Sequence, residues 1–381
     1  PCLGNATSVK TLSITRRALA NAGPDGSTCG SAPFTLSSAS ATNYSSLLWT
    51  SSGSGSFVNP GILNATYIPG AGDLVSGTAT LTLTLTGNSP CATPVTDDMV
   101  LSIGGEPSAN AGADGQTCET TPFTITTATA ANYSAINWAS TGTGILSDAG
   151  SLTPTYTPSN ADALAGIVTL TLTVTGQTPC TATITDIMQI VVTPAPLADA
   201  GANFSVCGGN SFTVTGASAQ YYSSVNWTSS GSGTLVDANQ IDPTYTPSAA
   251  DIANGAVTLT LSAMGNAPCV APVVDDVLVT INQIPSVFAG NDLTICEGPH
   301  NLTGAVATNY SALMWTSNGD GVFINPTSLT PIYTPGPGDL INGMVTLTLS
   351  ATSLPPCTDI VSDDVILTIR PLPQVFAGPN A

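Results

Sequence analysis

Four cysteines, Cys29, Cys118, Cys207 and Cys296, stand 89 residues apart, and no single globule would impose that interval. Trp49, Trp138 and Trp227 keep the same spacing, with Trp315 one residue early. Tyr67, Tyr156, Tyr245 and Tyr333, each in a YIP or YTP triplet, follow the beat, as do Asp73, Asp162, Asp251 and Asp339. Self-similarity at a fixed period marks a repeat architecture, in which each copy is one structural unit. The copies read as 18–106, 107–195, 196–284 and 285–372, the last being one residue shorter between Cys296 and Trp315. Residues 1–17 align on the end of a copy, with Cys2 lying 89 before Cys91, and read as the last strand of a preceding repeat. Residues 373–381 contain VFAGPNA, which matches VFAGNDL at 287–293, and read as the start of a following one.

Within the second copy, IVTLTLTVTG (167–176) alternates apolar residues with Thr, the period of a strand with one buried face. PFTITTATA, INWAS, SLTPTYTPS and ITDIMQIVV are further strand-like segments, and SANAGAD followed by QTC reads as a first strand kinked at its glycine. PSNADALAG reads as a compact turn. About seven short strands with turn signals every 8 to 12 residues describe an antiparallel β-sandwich. The expected fold is therefore all-β, a tandem array of four immunoglobulin-like or PKD-like sandwiches, elongated and semi-rigid because its linkers GGEP, TPAP, NQIP and RPLP contain proline. Trp138, Leu170, Leu172 and Val174 belong in the core of the second copy, with the threonines facing water.

Charge removes several functions. The chain carries 23 acidic residues against 4 basic ones, a net charge of -19. Lys10, Arg16, Arg17 and Arg370 cannot form the basic stripe that nucleic acid demands. An anionic bilayer surface would repel the chain for the same reason. No run of about 18 apolar residues occurs, so no membrane insertion is expected. The opening residues show no basic and then apolar signal, so the chain reads as an interior piece or one whose signal has been removed.

The segments ANAGPDGSTC, WTSSGSGSF, YTPSAADIANGAVTLTLSA and the DDVLVTI ending resemble the tandem PKD-like and immunoglobulin-like repeats of very long Bacteroidota surface adhesins, including those associated with gliding motility and type IX secretion. The resemblance spans essentially the whole chain and implies a spacer at the cell surface. The expected role is a non-catalytic segment of an extracellular filament or adhesin stalk that bears tension, its main partners being neighbouring repeats of the same chain. Two rival roles are repeats that themselves bind glycans or calcium, and an accessory region of a secreted hydrolase.

Catalytic chemistry has little to stand on. The only histidine, His300 in EGPHNLT, has no counterpart in the other copies and reads as a surface-loop residue. Without histidine, a cysteine nucleophile or a zinc site lacks its usual partner, and no glycine-rich phosphate loop with its lysine is present. No catalytic or cofactor-binding residue is assigned. Calcium is the one ion for which ligands are plentiful, at Asp25 and Asp114 in the kink and at Asp97, Asp98, Asp275 and Asp276 before the last strand. Against it, Asn203 replaces the kink aspartate in the third copy and Ile187 the second strand aspartate in the second copy, so turn-forming Asp is the favoured reading. Tyr44, Tyr133, Tyr222 and Tyr310 recur just before the Trp strand and form a candidate row for surface glycans. Eight N-x-[ST] sequons, at Asn5, Asn43, Asn64, Asn132, Asn203, Asn226, Asn301 and Asn309, matter only in a host that glycosylates them.

Nine cysteines in a chain of this kind imply disulfides. Pairing within a copy gives Cys29–Cys91, Cys118–Cys180, Cys207–Cys269 and Cys296–Cys357. Pairing across a linker joins residues 27 apart, such as Cys91 and Cys118. Pairing between copies gives Cys29–Cys180, Cys118–Cys269 and Cys207–Cys357. In a seven-stranded sandwich Cys118 ends the first strand at one pole, and Cys180 follows the sixth strand at the other. A strand length of about 25 Å would then separate atoms that must lie within about 7 Å. The inter-copy set is expected, with Cys2, Cys91 and Cys296 left for partners outside these repeats. The within-copy set returns if the segment between Trp138 and Tyr156 fails to cross the sandwich.

Overall fold

The computed structural model describes residues 4, 7–373 and 375. They fall into two compact units, Pro1–Pro194 and Ala195–Ala381.

In the first unit the elements are β1 (Leu19–Asn21), β2 (Gly26–Cys29), β3 (Phe34–Thr35), β4 (Ser40–Thr42), β5 (Tyr44–Ser51), β6 (Ser56–Val58), β7 (Thr66–Ile68), α1 (Ala71–Ser76), β8 (Thr78–Gly87) and β9 (Val95–Gly104). The same series then recurs as β10 (Ser108–Asn110), β11 (Gly115–Cys118), β12 (Phe123–Thr124), β13 (Thr129–Ala131), β14 (Tyr133–Ser140), β15 (Ile145–Ser147), β16 (Thr155–Thr157), α2 (Asn160–Ala165), β17 (Ile167–Gly176) and β18 (Thr183–Thr193). Each series makes a four-stranded sheet, in the order β11-β18-β17-β14 for the second, facing a three-stranded sheet β12-β16-β15 and the pair β10-β13. Nine strands and a short helix thus replace the seven strands and compact turn read from sequence, because several strands of two to four residues were hidden in turn-rich stretches. Ser159 caps α2 by accepting from the Asp162 amide, and Gly166, at φ 81°, closes it in the left-handed region that favours glycine.

The first strand changes sheets at its glycine. β10 pairs with β13, whereas β11 pairs with β18, and Gly112 between them has φ 92°. β17 shows why the alternating run is a strand: Leu170, Leu172 and Val174 are fully buried, with the threonines between them partly exposed. Each fully buried aliphatic side chain contributes about 1.5–3 kcal/mol of apolar transfer. Trp49 and Trp138 lie inside two separate cores. Residues 7–18 carry no strand, and Cys2 and Asn5 lie outside the described residues.

The second unit repeats the plan, with sheets of the same strand order and two further separate cores around Trp227 and Trp315. His300 corrects the sequence reading. It begins the two-residue strand His300–Asn301, is only partly exposed, and pairs with Tyr333 as Phe123 pairs with Tyr156. The one-residue deletion after Cys296 lies in the turn before this strand, so His300 fills the phenylalanine position although its distance from the cysteine differs. Of residues 373–381, only 373 and 375 are described, and neither is in a strand. No helix among the described residues is long and apolar enough to cross a membrane.

Candidate functional site

Two features dominate each unit: a covalent junction between neighbouring repeats, and a buried aspartate inside each sandwich.

The junction follows from strand direction. β2 runs parallel to β9, and Cys29 ends beside Gly104, the last residue of that strand. β17 starts beside the end of β18 (Ile167 opposite Val191) and finishes beside its start (Thr175 opposite Thr183). Cys180, just after β17, therefore sits at the pole of its sandwich opposite Cys118, which pairs in register with Thr193. Cys29 and Cys180 are joined by a disulfide with Cα atoms 4.9 Å apart, and Cys207 and Cys357 by one of 5.0 Å, both within the usual range. These bonds preclude Cys29–Cys91, Cys118–Cys180, Cys207–Cys269 and Cys296–Cys357. Cys180 Sγ lies 3.4 Å from the Gly104 carbonyl, and Cys357 Sγ 3.5 Å from that of Asn282, so each bridge rests on the end of the preceding repeat. Asn132 Nδ2 donates to the Glu106 carbonyl at 2.8 Å and Asn309 Nδ2 to Gln283 Oε1 at 3.1 Å, adding polar contacts at both linkers. Cys118 and Cys269 are buried, and Cys91 and Cys296 are free thiols.

Inside the second sandwich, Asp162 is 3% exposed and Tyr156 fully buried. Oδ1 accepts from the Thr143 amide at 2.8 Å; Oδ2 accepts from the amides of Gly144 and Ser159, both at 2.9 Å, and from Tyr156 Oη at 2.7 Å. Burial alone would raise this carboxyl's pKa. The bonds from Ser159, Tyr156 and Thr143 overcome that and hold it at about 2. Asp251 is likewise held at about 2 and Asp73 below the ordinary carboxylate value, again by donors that outweigh burial. Tyr333 is pushed up to about 12 by burial and by Asp339, so its phenol remains a donor. Where glycine stands at the helix cap, the facing turn supplies the acceptor: Ser54 Oγ takes the Asp73 amide and Asp320 Oδ1 the Asp339 amide, each at 3.2 Å. A carboxylate with four donors ties the turn after the Trp strand, the tyrosine and the start of the helix together. Sequence reasoning noted only the beat of these aspartates. Their constant place six residues after the repeating tyrosine was the available signal.

The calcium candidates spread over several tasks. Asp25 Oδ1 accepts from the Val100 amide at 2.8 Å, while Asp97 Oδ2 accepts from Ala22 at 2.7 Å, so first and last strands are stapled reciprocally. Asp114 takes the Gln189 amide at 2.7 Å and Asp275 that of Ala200 at 2.8 Å. Asp98 and Asp276 are exposed, whereas their neighbours Asp97 and Asp275 turn inward, because adjacent strand residues point to opposite faces. Among the described residues the one group with metal-binding spacing is Cys207, Cys357 and Asp359, and both of its sulfurs are in the disulfide. Tyr44, Tyr133 and Tyr222 are 36–38% exposed and begin their strands instead of lying in the preceding loops. Tyr310 packs against the core of its sandwich.

No family model and no curated protein matches the chain. Among solved structures, extracellular cadherin domains 3–6 of protocadherin gamma B2 align over 93% of this chain and 99% of that one, at 12% identity and a TM-score of 0.35. The human desmocollin-1 ectodomain aligns over 86% and 75%, at 12% and 0.30. Immunoglobulin domains 1–4 of Sidekick-1 align over 91% and 97%, at 12% and 0.31. These scores are all below 0.5, and the fold assignment rests on the strand pairing described above.

Proposed function

We propose that the chain is a tension-bearing structural segment of an extracellular, cell-surface filament or adhesin stalk, with the 89-residue repeat as its folding unit over 18–106, 107–195, 196–284 and 285–372. The observation that carries this reading is covalent: Cys29–Cys180 and Cys207–Cys357 join neighbouring repeats and not the strands of one sandwich. A bridge inside a sandwich would serve that sandwich, whereas a bridge across a linker serves the string. Disulfides also persist chiefly in oxidising compartments, which suits an extracellular site. By the same periodicity Cys118 pairs with Cys269. The buried aspartates support a mechanical role, since each carboxylate ties backbone segments and a tyrosine together.

The test is made on intact producing cells. Antibody to residues 18–372 should label the surface, and cells carrying Cys29→Ser with Cys180→Ser should detach at lower shear. Absence of surface label, or unchanged detachment, would overturn the reading. A second reading, glycan contact through Tyr44, Tyr133 and Tyr222, is favoured by their matching exposure. Loss of glycan-array binding in a triple Tyr→Ala variant tests it.

A further inference from the structure

This inference rests on the tension-bearing reading but concerns where the load runs. We infer that tension passes through only the first and last strands of each sandwich, and that the inter-repeat bridges remove every other strand from the load path.

Covalent connectivity alone sets the path. A pull enters the first repeat along β1 and β2, reaches Cys29, and crosses directly to Cys180. It then follows β18, passes the linker, and runs along Leu197–Asp199 and Phe204–Cys207. At Cys207 it crosses to Cys357 and continues down Ile360–Arg370. The stretches spanned by the bridges, with separations of 151 and 150 residues, become closed loops outside the path. Only the 27-residue step from Cys180 to Cys207 remains between the two bridges, at most about 95 Å when drawn out. Most of that step is already strand, rising about 3.3 Å per residue, so it has little slack to yield.

Strand pairing fits this use. The load rides the first strand in the first repeat and the last strand in the second. These strands are parallel neighbours in every sandwich, with Gly115 opposite Ile190 and Cys118 opposite Thr193 in the second. They are the parallel exception in otherwise antiparallel sheets. The proposed Cys118–Cys269 bridge supplies the complementary path, along β10 and β11 and then Pro272–Asn282. In the second and third sandwiches two covalent paths then run side by side, whereas the free Cys91 and Cys296 leave a single bridged path in the first and fourth. In the second, Asp114 on the Gln189 amide and Asp186 on the Ala111 amide tie the two paths together. β12 to β17, with the Trp138 core and the Tyr156–Asp162 pair, bear no tension.

The experiment is force spectroscopy on the full chain held by its two ends. With disulfides intact, the segment from Cys29 to Cys357 should reach no more than about 105 Å, the drawn-out step plus two bridges. Reductant flowed over the same tethers should let it lengthen roughly tenfold, in steps as sandwiches open. Cys207→Ser with Cys357→Ser should release the second loop only. If that variant does not fold, the reductant comparison on the unaltered chain still decides. Sandwich-sized steps in oxidised tethers would overturn the inference. Oxidised tethers that obey the limit, on a protein that antibody does not find at the cell surface, would sink the stalk reading and leave the load path standing.

Discussion

Tyr156 Oη donates to Asp162 Oδ2 across 2.7 Å in the interior of a sandwich, and the pairs Tyr67–Asp73, Tyr245–Asp251 and Tyr333–Asp339 repeat the bond at 2.7, 2.8 and 2.6 Å. One carboxylate thereby joins the turn after the Trp strand, the YTP strand and the start of the helix. Asp162→Ala should strand three amides and a phenol without an acceptor, at a cost of about 3–5 kcal/mol, whereas Tyr156→Phe should cost about 1–2 kcal/mol. Hydrogen exchange of the amides of Thr143, Gly144 and Ser159 reads the difference; equal protection in both variants would contradict it.

Acid should weaken the same sites. Asp162 and Asp251 titrate near 2 in the folded chain, below the ordinary carboxylate value. A depressed folded pKa means that the stabilisation is complete above about pH 4 and is lost as pH falls through about 2. Each site is worth on the order of 2 kcal/mol. Melting temperature should be level from pH 7 to 5 and fall between pH 4 and 2, less steeply in Asp162→Asn. Tyr333 works in the opposite sense: its pKa is raised to about 12, so its contribution is complete below pH 10 and vanishes as pH rises through 12.

Gly144 offers a steric test. A Cβ there would lie 2.8 Å from Cζ of Tyr156 and would also strike the Thr157 carbonyl oxygen. Gly144→Ala should destabilise the second repeat by about 3 kcal/mol or more, since neither buried ring nor backbone can retreat. Gly150→Ala meets nothing within 4 Å and should be nearly neutral. Calorimetry of the two variants provides the comparison, and matching melts would refute the steric account.

Calcium and the third bridge can be settled directly. Because the inward aspartates already accept backbone donors, EDTA should leave the melting temperature unchanged, and a drop of several degrees would assign the ion after all. Asp97→Asn, which keeps an acceptor for Ala22, should cost under about 1 kcal/mol. Peptide mapping without reductant should recover a peptide linking Cys118 to Cys269; one linking Cys118 to Cys180 would defeat the proposal.

Much of this architecture was open to sequence reasoning because the physics repeats with the period. The Leu and Thr alternation of 167–176 requires a strand with one buried face, and strand parity then puts Cys118 and Cys180 at opposite poles. Strands as short as Phe123–Thr124 escaped because two residues show no period. Asp162 escaped because a charged residue beside Ala and Asn looks like a solvated turn until its four donors are seen. His300 was misread because a deletion of one residue shifted its spacing from Cys296 while leaving its pairing with Tyr333 intact.

The opposite poles of Cys118 and Cys180 also impose an order of events on synthesis. A growing chain presents Cys91 to Cys29 well before Cys180 exists, since the within-copy partner lies 62 residues on and the true partner 151. Once the first sandwich has folded, its own second cysteine is a strand length away and the premature pair is out of reach. Folding must therefore precede oxidation, repeat by repeat. A chain oxidised while still unfolded would close the nearer loop and lose the link to its neighbour.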